Sequence, residues 1–369
     1  MKNENRNTTV VVAMSGGVDS SVTAALLLEH GYNVIGVTMK TYDFDDVGGN
    51  VANETSCCGL GAMNDARLVA AKLGIPHYVV DFRDQFGRQV IDYFVKEYLQ
   101  GRTPNPCILC NRDIKWGALL EKTQTLGADF LATGHYAQVR FDEKRQRYVV
   151  SEAVDKNKDQ SYALWALSQD ALSRTMFPLG SRTKPEVRVL AQRYGLRTAN
   201  KEESYEICFV ADNNYERFLK EQVPELEATL AGGDIVWGDN VVGQHRGYPF
   251  YTIGQRKGLG AFGKRVYVTG IDSESNTVLI GTDEDLLRSR LLAQSANVIS
   301  PGYFKEERPV QAKVRYKDVA TPAWAIIREN GELDVRFDQK KRALTPGQSV
   351  VLYENGDVVG GGIIHSIIE

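Results

Sequence analysis

The chain has 369 residues, of which 43% are hydrophobic and 25% are charged, and this is the composition of a globular protein of about two or three domains. It excludes a disordered, collagen-like or disulfide-dense protein. The formal charge of −3 provides no overall positive field, so a nucleic-acid site would need locally clustered Lys and Arg. There is no secretory signal and no apolar run near the ~20 residues that span a bilayer, and the five cysteines fit a reducing compartment. We therefore expect a cytoplasmic protein with no membrane partner.

The N-terminal part alternates short β-branched runs with helical patterns that end at glycines. The predicted strands cover 8–14, 34–39, 77–80 and 130–133. The predicted helices cover 18–30, 62–73, 85–99 and 114–126. This alternation predicts βαβ units, and hence a parallel sheet that binds its ligand beyond the carboxyl ends of the strands.

Beyond about residue 205, the pattern changes to short β-rich runs separated by glycine and asparagine turns. The runs that we interpret as strands are 265–270, 310–316, 321–328, 333–337 and 350–353, and Asn355-Gly356 is a hairpin signal. We predict an α/β protein with an N-terminal parallel-sheet domain over 1–205, a small β-rich middle domain over 206–285 and a C-terminal β-barrel over 286–369.

A glycine-rich turn between the first strand and the first helix is the strongest chemical motif. It reads Ser15-Gly16-Gly17-Val18-Asp19-Ser20. Glycines let a backbone approach phosphate closely, a helix N-terminus favours anions, and the Asp19 carboxylate can hold Mg²⁺ against a pyrophosphate. The alternative is a plain turn with a serine helix cap. The motif resembles the PP-loop signature of ATP pyrophosphatases, and it is not a Walker loop.

The cysteines form a second group. Cys107 and Cys110 lie in a CxxC where a helix could begin, and a thiol at such a position has a lowered pKa. Cys208 lies on a run that we interpret as an apolar strand, where a lone cysteine is often only buried packing. Cys57-Cys58 lies in a polar loop and could be incidental. A four-thiolate zinc site would need ligands scattered through the chain.

Two further segments have the residue types of contact loops. Thr133-Gly134-His135 ends a strand, as a nucleotide-contacting loop would, or it is a simple turn. In Lys158-Asp159-Gln160-Ser161, Asp159 or Ser161 could merely cap the next helix.

Basic residues cluster locally despite the acidic average. Residues 240–271 contain no Asp or Glu, and basic and aromatic side chains interleave there: Arg246, Arg256, Lys257, Lys264 and Arg265 with Tyr248, Phe250, Tyr251 and Tyr267. Lys313, Arg315 and Lys317 alternate and are predicted to share one face of a strand. Such surfaces bind phosphates and stack on unpaired bases, unless they are only solvated faces.

Six stretches, in order along essentially the full chain, resemble the bacterial tRNA-specific 2-thiouridylases (the MnmA family). They are AMSGGVDS (13–20), GRTPNPCILCNRDIKWG (101–117), ATGHYA (132–137), KDQSYAL (158–164), SYEICFV (204–210) and GQRKGLG (254–260). The first identifies only the PP-loop superfamily, with its adenine nucleotide alpha hydrolase-like fold, whereas TPNPxxxCN followed by ICF is more specific.

The resemblance implies ATP-dependent replacement of the C2 oxygen of the tRNA wobble uridine by sulfur, with Mg²⁺ assisting adenylation of that oxygen. It implies that Cys208 carries a persulfide, and that Cys110 is the nucleophile that releases sulfide or forms a disulfide with Cys208 after transfer. The implied partners are the anticodon region of tRNA and a cysteine desulfurase or sulfur-relay protein.

By position, the resemblance also implies binding residues. The implied ATP contacts are Ala13, Met14, Ser15, Gly16, Gly17, Val18, Asp19, Ser20, Met39 and Gly134. The implied contacts with the target base or the rest of the tRNA are Asn105, Pro106, Cys107, Lys158, Asp159, Gln160, Arg315 and Tyr316.

Cys107 departs from the family pattern, because many members have Asp at this position. A thiol would transfer protons with a different pKa, or the position is not catalytic. Cys107, Cys110 and Cys208 could instead supply three thiolates to an iron–sulfur cluster, our second choice of mechanism.

Two other classes of function remain open. A PP-loop ligase acting on a small substrate would leave the basic C-terminal half unexplained. A catalytically silent tRNA-binding protein that holds ATP structurally would leave the phosphate loop and the paired thiols unexplained.

Overall fold

The computed structural model describes residues 4–43, 60–202, 207–210, 212 and 214–368, so Cys57 and Cys58 lie outside the described residues. The chain forms two compact units. The first comprises Met1–Val90, Cys107–Asn213 and Gly356–Val358, and the second comprises Ile91–Pro106, Asn214–Asn355 and Val359–Glu369.

The first unit is built on a parallel sheet. Its strands are β1 (Thr9–Ala13), β2 (Asn33–Lys40), β3 (His77–Asp81), β4 (Phe130–Ala132), β5 (Ala137–Asp142), β6 (Arg147–Glu152) and β7 (Thr175–Met176). Five of them form the sheet in the order β3–β2–β1–β4–β7, with every pair parallel, and β5 and β6 form an antiparallel hairpin. The side chains of Val10, Val11 and Val12 are fully buried, as expected for a central strand covered on both faces.

Helices connect and follow these strands. Their bounds are α1 (Val18–Glu29), α2 (Leu60–Leu73), α3 (Arg83–Phe86), α4 (Asp92–Leu99), α5 (Pro106–Leu109), α6 (Leu120–Thr125), α7 (Gln169–Ser173), α8 (Lys184–Arg193), α9 (Tyr215–Gln222) and α10 (Leu226–Leu230). Two π-helical segments, Gly87–Ile91 and Cys110–Leu119, join α3 to α4 and α5 to α6. Among the described residues, no helix is long and apolar enough to cross a membrane.

The second unit contains two β structures. A four-stranded sheet has the order β10–β11–β8–β9, from β8 (Asp234–Trp237), β9 (Asn240–Gln244), β10 (Tyr267–Asp272) and β11 (Thr277–Gly281). The C-terminal strands are β12 (Leu287–Val298), β13 (Arg308–Lys313), β14 (Thr321–Ile327), β15 (Leu333–Arg342), β16 (Ser349–Glu354) and β17 (Asp357–Ile368). They follow the order β12–β15–β14–β13–β16–β17, and β17 pairs back with β12 to close a six-stranded barrel.

The predicted α/β class, with a parallel N-terminal sheet, a β-rich middle part and a C-terminal barrel, is confirmed. The hairpin signal is also confirmed, because Asn355 and Gly356 both have positive φ, 53° and 84°, between β16 and β17. Two local predictions were wrong. The helix predicted from residue 114 begins at Pro106, where proline is favoured in a first turn. The strand predicted over 310–316 ends at Lys313, so Arg315 and Lys317 do not share a strand face with it.

Gly16 is held tightly in the loop after β1. Its backbone is left-handed, with φ +68°, and a Cβ atom there would stand 2.0 Å from the carbonyl oxygen of Ala62 in α2. The adjacent Gly17 has φ −92°, and the nearest atom to a Cβ would be the Ser15 hydroxyl at 3.5 Å. Two neighbouring glycines therefore differ sharply in how well they would accept a side chain.

We predict that Gly16→Ala destabilises the protein and that Gly17→Ala does not. The left-handed backbone alone costs about 1–3 kcal/mol for a residue with a side chain, which corresponds to a fall in melting temperature of at least ~2 °C. Thermal unfolding followed by circular dichroism measures both variants. An equal fall for both would contradict the assigned loop conformation.

Candidate active site

The loops that follow three adjacent strands open at one edge of the parallel sheet. β1 lies between β2 and β4, and all three run in the same direction. Their carboxyl ends lead into residues 14–17, 41–43 and 133–136, respectively. In an open parallel sheet this edge is where ligands bind. The glycine-rich motif at 15–20 and the Thr-Gly-His motif at 133–135 both lie at this edge, and the structure brings the two together.

The loop after β1 is organised around hydroxyl groups and helix α1. The Ser15 amide donates to the Ser20 hydroxyl at 3.2 Å, and the hydroxyls of Ser20 and Ser21 donate to the Gly17 carbonyl at 3.2 and 2.7 Å. In the described part of the chain, no side chain caps the start of α1 at Gly17. The first amide groups of α1 are thus left for an anion, which the helix dipole favours.

Gly134 brings the β4 loop against the same helix start. A Cβ atom on Gly134 would lie 2.8 Å from the Ser20 amide nitrogen and 2.9 Å from the Asp19 carbonyl carbon. Only a glycine allows this approach without a shift of the backbone. Of the other expected nucleotide contacts, Met14 is buried and Met39 is half-buried near the end of β2.

Asp19 is bound on both of its oxygens. The Lys184 ammonium donates to Oδ1 and Oδ2, each at 2.8 Å, and the Tyr136 hydroxyl donates to Oδ1 at 2.9 Å. The side chain of Lys184 is 8% exposed and that of Asp19 is 30% exposed. A largely buried ammonium requires such a partner, so this ion pair fixes both side chains beside the loop.

Lys184 was missed in the sequence analysis. It is the first residue of α8, whose start is closed by the Glu186 carboxylate accepting the Thr183 amide at 2.6 Å. A cation at a helix N-terminus is disfavoured by the helix dipole, so a lysine here serves something other than helix stability. That unfavourable position is the one sequence signal that could have identified it.

A second lysine also reaches the loop. Lys201 donates to the Gly16 carbonyl at 3.2 Å and to the Asp65 carboxylate at 2.7 Å. The loop after β1 is therefore flanked by two ammonium groups, each held by a carboxylate.

The metal predictions can be compared with this arrangement. Among the described residues, no group of three His, Cys, Asp or Glu side chains could hold a metal ion. Asp19 fits the usual magnesium mode, in which one or two carboxylates join the substrate phosphates. Cys107, Cys110 and Cys208 do not form a three-ligand group, so their placement does not fit the iron–sulfur cluster that was our second choice.

Cys110 lies on a helical segment that contacts the loop after β4. The Lys115 ammonium donates to the Asn111 side chain at 2.8 Å and lies 3.5 Å from His135 Nε2. His135 Nδ1 lies 2.6 Å from the Thr133 hydroxyl. Burial, followed by the charge of Lys115, lowers the pKa of His135 well below its usual value, so the ring is neutral. Since an ammonium can only donate, Nε2 is the accepting nitrogen.

The expected helix-start position applies to Cys107 rather than to Cys110. Cys107 is exposed in the first turn of α5, whereas Cys110 is half-buried and begins the π-helical segment one turn later. The Asn111 side chain donates to the Ala163 carbonyl at 2.9 Å, which further fixes the backbone beside Cys110.

Cys208 lies in a turn, not on the predicted strand. The Tyr42 hydroxyl donates to the Cys208 carbonyl at 2.6 Å, and the next residue, Phe209, is 1% exposed. Residues 203–206, 211 and 213 lie outside the described residues. Phe209 and Val210, which follow Cys208, are both buried. In the structure Cys107, Cys110 and Cys208 are not bridged, so no disulfide is present between Cys110 and Cys208.

Several expected tRNA contacts form bonds within the protein. The Asp159 carboxylate accepts the Ala153 amide at 2.9 Å, and the Gln160 side chain accepts the Tyr136 amide at 2.9 Å. The Arg315 guanidinium donates to the carbonyls of Arg342 and Ala343. The remaining candidates differ in exposure: Asn105 is half-buried, Pro106 is buried, Lys158 is half-buried and Tyr316 is 41% exposed.

The aromatic part of the basic segment is mostly core. Tyr248, Phe250 and Tyr251 are at most 5% exposed, and the Tyr248 hydroxyl donates to the Leu99 carbonyl at 2.5 Å. The prediction that these rings stack on bases was therefore wrong for these three. The basic residues Arg256, Lys257, Lys264 and Arg265 are exposed.

Family models match three consecutive parts of the chain. A tRNA methyl transferase HUP domain matches residues 8–212, a tRNA methyl transferase PRC-barrel domain matches 216–282, and an aminomethyltransferase beta-barrel domain matches 288–364. The first of these covers more than half of the chain.

Curated relatives align over nearly the full length. The tRNA-specific 2-thiouridylase MnmA of Salinibacter ruber is 54% identical over 97% of this chain and 94% of its own. Those of Cytophaga hutchinsonii and Heliobacterium modesticaldum are 51% and 53% identical, over 97% and 96% of this chain and 97% and 92% of theirs. A solved 4-thiouridine synthetase–RNA complex with bound ATP covers 59% of this chain and 51% of its own at 18% identity, with a TM-score of 0.37, too distant to support an argument. The identity and coverage of the curated relatives place this chain in the family of tRNA-specific 2-thiouridylases.

Proposed function

We propose that the protein uses ATP to replace the C2 oxygen of the wobble uridine of tRNA by sulfur, forming 2-thiouridine. The observation that carries the proposal is that the loop after β1 has two neighbouring loops that contact the thiol segments. The loop after β4 contacts the helix of Cys110, and the loop after β2 bonds to the Cys208 turn. Adenylation and thiol chemistry are the two activities that this arrangement combines. The full-length relatives, all named as tRNA 2-thiouridylases, support the same reaction.

The first step is activation of the uridine. The C2 oxygen attacks the α-phosphorus of ATP, pyrophosphate leaves, and an O-adenylated base is formed. The α1 amides and the ammonium groups of Lys184 and Lys201 would stabilise the negative charge of the phosphates. Asp19 would hold Mg²⁺, which when bound would neutralise further phosphate charge.

The second step is sulfur transfer. A cysteine desulfurase or sulfur-relay protein converts the Cys208 thiol to a persulfide. The Cys110 thiolate attacks the inner sulfur of that persulfide, a Cys110–Cys208 disulfide forms, and hydrosulfide leaves. Hydrosulfide then attacks C2 and displaces AMP, which takes the original oxygen with it. In the variant order, the outer sulfur attacks C2 first and Cys110 then releases the thiolated base. In both orders an external dithiol must reduce the disulfide before the next cycle.

Each domain and each expected tRNA contact has a proposed role. Residues 1–205 would form the adenylation domain, 206–285 the central domain, and 286–369 the barrel that contacts the tRNA. Asn105, Pro106 and Cys107 would lie at the target base, and Lys158, Asp159, Gln160, Arg315 and Tyr316 at the rest of the tRNA. The engaged side chains of Asp159 and Gln160 would act mainly by shaping the surface, since their polar atoms bond inside the first unit.

We predict that Asp19→Ala abolishes tRNA-dependent pyrophosphate release, a loss of at least ~100-fold. The change removes the partner of Lys184 and the one carboxylate of the motif at 15–20. Lys184→Met should cause a similar loss. The double variant should lose little more, since residues in one ion pair are not additive. Asp84→Ala, an exposed acidic residue in the first turn of α3, is the control and should leave the rate unchanged. Pyrophosphate release near the wild-type rate in Asp19→Ala would contradict the assignment.

We predict that Cys110→Ser and Cys208→Ser abolish tRNA thiolation under anaerobic, cluster-free conditions, and that Cys107→Ser retains substantial activity. Cys110→Ser should also accumulate a persulfide on Cys208, visible by intact-protein mass spectrometry, because the nucleophile that cleaves it is missing. Equal loss in all three variants, with wild-type activity restored only by iron and sulfide, would favour a cluster mechanism instead.

We predict that replacing Lys313, Arg315 and Lys317 by Ala weakens tRNA binding and flattens its salt dependence. Each lost single-strand phosphate contact should lower the log–log slope by about 0.7. Binding is measured by filter retention over a range of salt concentrations. The matched control removes three exposed lysines of the first unit, Lys122, Lys144 and Lys156. An unchanged slope in the first variant, or an equal change in the control, would mean that these residues are only solvated.

A further inference from the structure

The turn that contains Cys208 is bonded to Tyr42, in the loop after β2, and packs against buried aromatic rings. The Tyr42 hydroxyl donates to the Cys208 carbonyl at 2.6 Å, across 166 residues of sequence. The Phe209 ring meets the Phe86 ring edge-on, with centroids 5.7 Å apart, and Phe86 lies 6.2 Å from the ring of Tyr42. Phe86 is fully buried, Phe209 is 1% exposed and Tyr42 is 6% exposed.

Both contacts act on the C-terminal side of the Cys208 α-carbon. One fixes the peptide group that follows the Cys208 α-carbon, and the other buries the next side chain. Edge-on ring pairs and a short hydroxyl–carbonyl bond are both directional, so together they restrict the path of the backbone at Cys208. Cys208 itself is half-buried.

Tyr42 lies in the loop that follows β2. It lies three positions after Met39, an expected ATP contact. β2 pairs with β1 as far as Ala13, where the glycine-rich loop after β1 begins. The end of β2 and the loop after it therefore contain both the expected nucleotide contact, Met39, and Tyr42, which bonds to the Cys208 turn.

We propose that Tyr42 is a positioning residue for sulfur transfer: its hydroxyl bond holds the Cys208 turn in the orientation from which the thiol reacts. This inference rests on the proposed role of Cys208 as sulfur carrier. Tyr42 is not among the expected ATP contacts, so we expect its loss to separate the two halves of the reaction.

The test compares Tyr42→Phe, which removes the hydroxyl and keeps the ring, with Tyr78→Phe, a tyrosine of β3 that is 51% exposed. Tyr42→Phe should lower single-turnover tRNA thiolation by about 2- to 10-fold, the range expected for one hydrogen bond, and leave pyrophosphate release unchanged. It should also raise the rate at which iodoacetamide alkylates Cys208, measured by peptide mass spectrometry relative to Cys107 in the same sample. Tyr78→Phe should change none of these.

A second variant tests the ring contact. Phe209→Leu keeps the Tyr42 bond and weakens the edge-on pair, and it too should raise Cys208 alkylation relative to Cys107. Wild-type thiolation and alkylation rates in Tyr42→Phe would overturn the inference, whatever the result for Phe209→Leu.

Cys208→Ser, assayed in parallel, separates the two possible failures. If Cys208→Ser still thiolates tRNA, the proposed function of Cys208 fails and the inference fails with it. If Cys208→Ser is inactive and Tyr42→Phe behaves as wild type in both assays, only the positioning role fails.

Discussion

The parallel pairing of β1 with β2 on one side and β4 on the other is the constraint on which the site depends. In this register Val10 lies opposite Val34 and Phe130, so the three strands end within a few residues of one another. The pairing continues past β1, because the Met14 amide donates to the Val37 carbonyl at 2.8 Å and the Thr38 hydroxyl donates to the Met14 carbonyl at 2.7 Å. A slip of one residue would exchange the two buried faces of β1, remove its valines from their packing partners and shift the loop after β1 relative to the other two.

The electrostatic arrangement follows from this geometry. Asp19 lies in the first turn of α1, where a negative charge is favourable, and Lys184 lies in the first turn of α8, where a positive charge is not. Pairing the two compensates the cost of burying the ammonium and leaves its positive charge beside the start of α1. The neutral His135 serves differently: it joins the β4 loop to the helix that carries Cys110 without adding a charge.

The sequence predicted features that depend on residues close together in the chain, and it missed contacts between residues far apart in the chain. The strand–loop–helix at Ser15–Ser20 was predictable because its glycines, hydroxyls and apolar flanks are adjacent in the chain. Their contacts made Lys184 and Tyr42 harder to predict, since the partners lie 165 and 166 residues away. The position of Lys184 at a helix start marks it as unusual but does not indicate its partner. The alternation of Lys313, Arg315 and Lys317 was misleading because β13 ends at Lys313. The three aromatic residues at 248–251 indicated a base-stacking surface, but all three pack into the core.

The central claim is that ATP activates the C2 oxygen of the target uridine and that this oxygen leaves with AMP. The most direct measurement uses a tRNA anticodon stem-loop with ¹⁸O at C2 of the wobble uridine, incubated with the protein, ATP, Mg²⁺ and a cysteine desulfurase. Mass spectrometry of the products should find one ¹⁸O atom in the phosphate of AMP for every 2-thiouridine formed. Unlabelled AMP accompanying 2-thiouridine would contradict the account, because the oxygen would then have left by a route that does not pass through an adenylated base.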